Sequence, residues 1–200
     1  MFERFGATVE WAAGARTAAA IELLTGDPMA AERELRDSHR RVEGADQAIV
    51  ASVTAWLAEA LYAQGRHDEA THAAVEARRL TPTDDREVHV RSRAVEAKVR
   101  AHRGEDKAAE RLLHDAVKHL AARPPPRGPS ADFWTTTLLE PETLSPTLVG
   151  TLLLARGEVL QLLGKPEQAA QACRAAHNLY RNKRAWPLAE RAQRQLEHVR

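Results

Sequence analysis

Four glycines punctuate the chain, and each is followed by a polar run that closes on alanine: Gly26 to Ala31, Gly65 to Ala70, Gly104 to Ala109 and Gly164 to Ala169. They stand at intervals of 39, 39 and 60 residues. Around each, three fixed offsets carry small side chains. Seven residues before stand Ala19, Ala58, Ala97 and Gly157; five after, Ala31, Ala70, Ala109 and Ala169; twelve after, Ser38, Ala77, Ala116 and Ala176. With 38 Ala, 10 Gly and 5 Ser in 200 residues, small residues at all twelve positions mark a period and not a composition effect. Crossing helices need such residues to bring their backbones together while larger neighbours fill the flanks. The glycine suits a left-handed turn that ends one helix, and Asp27-Pro28 supplies a cap and a first-turn proline for the next. Ser145-Pro146 repeats that signal ahead of the fourth unit. The chain is therefore constrained to helical hairpins of one repeated design.

Composition agrees: only nine residues are aromatic, and strand-type alternation of β-branched and aromatic residues is missing. Helix pairs are expected at 8–25 and 28–43, 46–64 and 67–80, 84–103 and 106–121, and 147–163 and 166–182, with a last helix near 187–199. Each pair can bury only one of its sides, so neighbours should stack into an all-α, right-handed solenoid of about four pairs closed by a capping helix. Six of the ten prolines fall between Pro124 and Pro146. The expected organisation is thus one continuous domain: three pairs in 1–121, a Pro-rich insertion at 122–146, and the fourth pair with its cap in 147–200.

Several function classes lose support at once. Twenty-nine Lys and Arg against 28 Asp and Glu leave a net charge of +1, so no bulk field draws the chain to nucleic acid or an anionic membrane. Apolar runs fall far short of the ~20 residues of a membrane span, and Met1-Phe2-Glu3-Arg4 does not read as a signal peptide, so a cytoplasmic location is expected. Cys173 takes the place of Leu35, Ala74 and Leu113 in the other units and reads as a packed small hydrophobe. His67/His72 and His114/His119 are each five apart, which turns them about 140° away from one another on a helix, so neither a metal nor another cofactor is expected. No phosphate-binding loop, Gly-x-Gly-x-x-Gly, Gly-x-Ser-x-Gly or His-Glu-x-x-His occurs, and no catalytic residue is proposed. The basic clusters Arg36/Arg40/Arg41 and Arg78/Arg79 are interleaved with acids and read as solvated outer faces.

The second unit, with Gly65, Ala70, Ala77 and Pro82, resembles a tetratricopeptide repeat, whose helix-turn-helix frame is Gly-x4-Ala-x6-Ala-x4-Pro. The other units keep Gly and Ala but lack the final Pro, and the period is longer than is usual in that family. A narrower likeness runs from Glu22 to Leu35 and from Leu57 to Arg66, which are similar to the carboxy-terminal repeat region of large bacterial signalling proteins. Those carry nucleotide-cyclase or transcriptional-activator modules and an ATPase module. Neither module stands in this sequence, so the resemblance implies no cyclase, ATPase or DNA-binding activity.

The resemblance further implies that the first helix of each pair lines a concave groove where a peptide lies. The matching positions are Arg16 in the first unit, Ser52, Ala55, Glu59 and Tyr62 in the second, Arg91, Lys98 and His102 in the third, and Thr151, Glu158 and Gln161 in the fourth. Arg91 and Lys98, two turns apart, would grip an acidic segment; alternatively they pair with Glu87, Glu96 or a neighbouring helix. Ala55 and Glu59 depart from the Lys and Asn of the family's chaperone-tail clamp, so that ligand is not expected. Phe133 and Trp134 in the insertion either tuck against a helix pair or form a docking patch.

The expected function is accordingly a non-catalytic protein- or peptide-binding scaffold in a bacterial regulatory or signalling system. The alternative is a small-molecule sensor or atypical enzyme, its cavity closed by the insertion, with Glu59, Tyr62, His102 and Glu158 as polar groups. Self-association through the apolar amino end, with Phe2, Phe5, Val9 and Trp11, is compatible with either.

Overall fold

A computed structural model describes residues 2–44, 46–81, 85–120 and 145–199, with side chains from Val9 onward. Pro82, Phe133 and Trp134 lie outside the described residues, as do the side chains of Phe2 and Phe5. Among the described residues there are nine α-helices and no strand. They are α1 (Phe2–Thr25), α2 (Pro28–Arg41), α3 (Gln47–Ala63), α4 (His67–Leu80), α5 (Arg86–His102), α6 (Asp106–Leu120), α7 (Pro146–Leu162), α8 (Pro166–Asn182) and α9 (Trp186–His198). Only α1 departs from expectation by more than a turn, beginning at Phe2: no proline interrupts the run before Val9, and the helix continues through Gly6 and Thr8. None of these helices is long and apolar enough to cross a membrane.

Every turn glycine of the period takes the left-handed conformation, with φ between 69° and 89° at Gly26, Gly65, Gly104 and Gly164. The next residue then donates back to the closing helix: Asp27 to the Glu22 carbonyl at 2.9 Å, Arg66 to Leu61 at 3.1 Å, Glu105 to Arg100 at 2.9 Å and Lys165 to Leu160 at 2.8 Å. A fifth turn has the same form without glycine: Arg184 has φ 56°, and the Ala185 N–H donates to the Tyr180 carbonyl at 2.9 Å. Asp27 caps α2, its Oδ1 accepting from the Ala30 N–H at 2.8 Å. Ser145 precedes α7 but makes no side-chain capping bond.

The small residues are where the helices meet. Of the twelve repeated positions, eleven side chains are at most 3% exposed and Gly157 is buried. The chain divides into two compact units, Met1–Val95 and Glu96–Arg200, the division falling within α5. In the first, α2 packs on α1, α3 on both, and α4 on α3, around a core that includes Leu35, Val42, Val53, Leu57 and Leu61. In the second, α7 packs on α6, α8 on α7, and α9 on α8 with a lighter contact to α7. Leu160, Ala169, Cys173, Leu196 and Val199 form a cluster there.

Candidate functional site

In the first unit the groove candidates are Arg16, Glu59, Tyr62 and Arg91. Trp56 and Glu59 lie one turn apart on α3, as Glu87 and Arg91 do on α5, so each helix presents two groups on one face. The four converge. The Arg91 guanidinium sits 3.6 Å from the centroid of the Trp56 ring, its Nη1 is 2.8 Å from Glu59 Oε2, and its Nη2 is 3.3 Å from Glu87 Oε1. Glu87 Oε1 also accepts from Trp56 Nε1 at 3.2 Å, closing a ring of contacts between α3 and α5. The Arg91 side chain is only 4% exposed, so the charge has left water and is matched by two carboxylates and an aromatic face. Arg91 Nε and the adjacent Ser92 Oγ are buried without a hydrogen-bond partner.

Arg91 therefore pairs with Glu87 and with a neighbouring helix, as the second of the two sequence readings required, but inside the protein and not as a solvated charge. The other positions are more accessible. Tyr62 is half-buried and stacks on His67, with ring centroids 5.4 Å apart and planes 16° from parallel. Arg16 is half-buried on α1, while Ser52 and Ala55 are buried.

The second unit carries Lys98, His102, Glu158 and Gln161. Lys98 Nζ lies 3.6 Å from Glu158 Oε2, the lysine side chain 10% exposed and the glutamate 34%. His102 ends α5 in solvent. Gln161 is exposed, and its Nε2 donates to the His198 carbonyl at 3.0 Å, tying α7 to α9. Thr151 is half-buried. Each of the two cations expected to grip a ligand thus faces an acid that the same reading placed in the groove. Nearby, Cys173 is fully buried, and burial first, with the charge of Glu158 second, pushes its thiol up to about 11. Burial pulls the Arg156 guanidinium down to about 10 against the charge of Glu110.

Two features escaped sequence reasoning. One is a polar knot around Glu32 on α2, whose Oε2 accepts from Gln64 Nε2 at 2.8 Å and lies 2.7 Å from Arg66 Nη1, while Oε1 is 2.7 Å from Arg36 Nε. Burial would raise this carboxyl, but the bonds from Gln64, Arg36 and Arg66 outweigh it and bring its pKa to about 2. The signal was present in the period: Glu32 follows the buried Ala31, and Gln64 precedes the turn glycine Gly65. The other feature is a hollow of about 420 Å³ between α8 and α9, beside the half-exposed Trp186. None of Glu59, Tyr62, His102 or Glu158 lines it.

Of the basic clusters, Arg36, Arg40, Arg41 and Arg79 pair with acids about one turn away. Among the described residues no group of three or more His, Cys, Asp or Glu side chains is placed to hold a metal ion. At the amino end Val9 and Trp11 are exposed, with the Arg41 guanidinium 5.1 Å from the Trp11 ring. No model of a known protein family matches the chain, and no curated protein sequence matches it.

Proposed function

We propose that the chain is a non-catalytic scaffold of the tetratricopeptide type, a right-handed stack of helical hairpins that holds a peptide or protein segment within a bacterial regulatory or signalling system. One observation carries the reading: the repeated small positions are buried at helix crossings, and the four periodic glycines all make the same left-handed turn. A fold built from such repeats leaves its partner to be read by the residues between the frame positions. With Arg91 and Lys98 matched by Glu59 and Glu158, an acidic segment would have to compete with those carboxylates. Recognition then rests on the more accessible groups, Arg16 and Tyr62 in the first unit and His102 and Gln161 in the second.

The test is peptide selection on the intact chain, followed by fluorescence anisotropy with Arg16→Glu and Tyr62→Ala variants that keep the parent melting curve. Binding should weaken about tenfold or more in each. Selection of no peptide, or equal affinity for parent and both variants, would overturn the proposal.

A further inference from the structure

Among the described residues α9 leaves one flank uncovered. In the first unit α3 opens a hairpin: it packs back on α2 and α1, and α4 then covers it. In the second unit α9 packs back on α8 and α7 in the same way, but among the described residues no helix takes the place of α4. The uncovered flank is the hollow between α8 and α9. The residues α9 contributes to it, including Trp186, Glu190, Arg194 and Glu197, follow the i, i+4, i+8, i+11 spacing of one helical face. Trp186 on this face is 54% exposed. On α8, His177 and Arg181 form the opposite wall.

We infer that this face is an interface between two copies of the chain, closed by a two-fold axis that crosses the two α9 helices antiparallel near the level of Ala192. Charge order along the hollow selects this occupant. In that crossing Glu190 of each copy comes level with Arg194 of the other, and Glu197 comes level with Pro187. Arg181 stands across the tight turn at Arg184 from Pro187, so Glu197 of one copy meets Arg181 of the other. Acids thus face bases twice on each side of the axis, as an isologous interface demands. Trp186 comes level with His198 of the other copy and supplies a large apolar anchor at each rim. The inference stands independently of the peptide-binding proposal.

Light scattering over a dilution series of the intact chain tests it. The parent should approach twice the monomer mass at high concentration and dissociate on dilution. Glu190→Arg alone sets arginine against arginine, and Arg194→Glu alone sets glutamate against glutamate, so each should weaken self-association about tenfold or more. An equimolar mixture of the two variants restores opposite charges across the axis and should dimerise again, which a merely structural role within one helix would not produce. Circular dichroism confirms that each variant keeps its helix content. A parent that stays monomeric at every concentration, single reversals that leave the dimer unchanged, or a mixture that fails to recover would each overturn the inference. A monomeric parent is also the outcome if the hollow is filled by the chain's own residues 121–144 or by a different protein.

Discussion

A Cβ placed on Gly150 would stand 2.1 Å from Cζ of Tyr180, far inside van der Waals contact. The ring is 1% exposed and cannot swing into solvent, so α7 approaches α8 this closely only because residue 150 lacks a side chain. Gly150→Ala would otherwise gain about 1 kcal/mol of helix propensity. Here it should cost about 2 to 4 kcal/mol through overpacking, read as a lowered melting temperature. Tyr180→Phe in the same chain should not rescue it, because Cζ remains; Tyr180→Leu should recover part of the loss.

Gly157 meets Cys173 in the same manner two turns further along the contact between α7 and α8, where an added Cβ would lie 2.6 Å from Sγ. Gly157→Ala alone is expected to destabilise by about 1 to 3 kcal/mol. In a Cys173→Ala background the obstruction is gone and the same change should be neutral or stabilising. A double-mutant cycle by denaturant unfolding measures the coupling, and additive effects would count against the contact.

The contrast between these two glycines shows how far the sequence could be read. Gly157 sits seven residues before Gly164, in register with Ala19, Ala58 and Ala97, so its burial at a crossing followed from the period. Gly150 is also in register, with Ala12, Ala51 and Val90, so the period marks a buried position there. That it must lack a Cβ was not legible, because the ring it accommodates, Tyr180, stands where the other units carry Val42, Thr81 and Leu120. Hairpins and turns were legible for the same reason as Gly157, being specified by local residues at fixed spacing. Arg91 was legible only as a cation on a helical face. Whether it met solvent or Glu59 and Trp56 depended on the packing of α3 against α5, which no spacing within either helix encodes.

Arg184 makes a tight turn of the same form as the periodic glycines but carries a side chain. Its φ of 56° places a side-chain-bearing residue in a region that costs about 1 kcal/mol or more, whereas the equivalent turns use glycine. Arg184→Gly should therefore stabilise the second unit by about 0.5 to 1 kcal/mol, offset in part by added freedom of the unfolded chain. Gly164→Ala, the reverse change at the matching turn, should destabilise by a similar amount. Melting curves of the two variants should move in opposite directions from the parent.

Glu32 gives the first unit a defined response to acid. Its carboxyl side chain is 13% exposed, and its pKa falls from the ordinary 4.5 to about 2. A depressed carboxylate stabilises the fold fully above the unfolded value and loses that contribution as pH falls toward the folded value. The parent should therefore lose about 2 kcal/mol between pH 4.5 and pH 2 from this group, and Glu32→Gln should flatten that part of the stability curve. An unchanged slope in the variant, measured by urea unfolding at a series of pH values, would place the acid sensitivity elsewhere.

Arg91 offers the sharpest test of whether a buried charge cluster stabilises the chain or only fixes how its helices meet. Arg91→Ala leaves Glu59, 12% exposed, without its cation, and should cost about 3 kcal/mol. Arg91→Lys keeps the charge but loses the planar fork that reaches Glu59 and Glu87 while lying on Trp56, so an intermediate loss of about 1 to 2 kcal/mol is expected. Replacing the pair together, Arg91→Met with Glu59→Leu, removes both desolvated charges and should restore most of the parent stability. If Arg91→Ala costs under about 0.5 kcal/mol, the contact behaves as an exposed ion pair and its burial is not realised in solution. If instead the double replacement unfolds as readily as Arg91→Ala, the carboxylates and the indole hold the guanidinium at a net gain. The cluster would then be a source of stability in its own right and not only a register between α3 and α5.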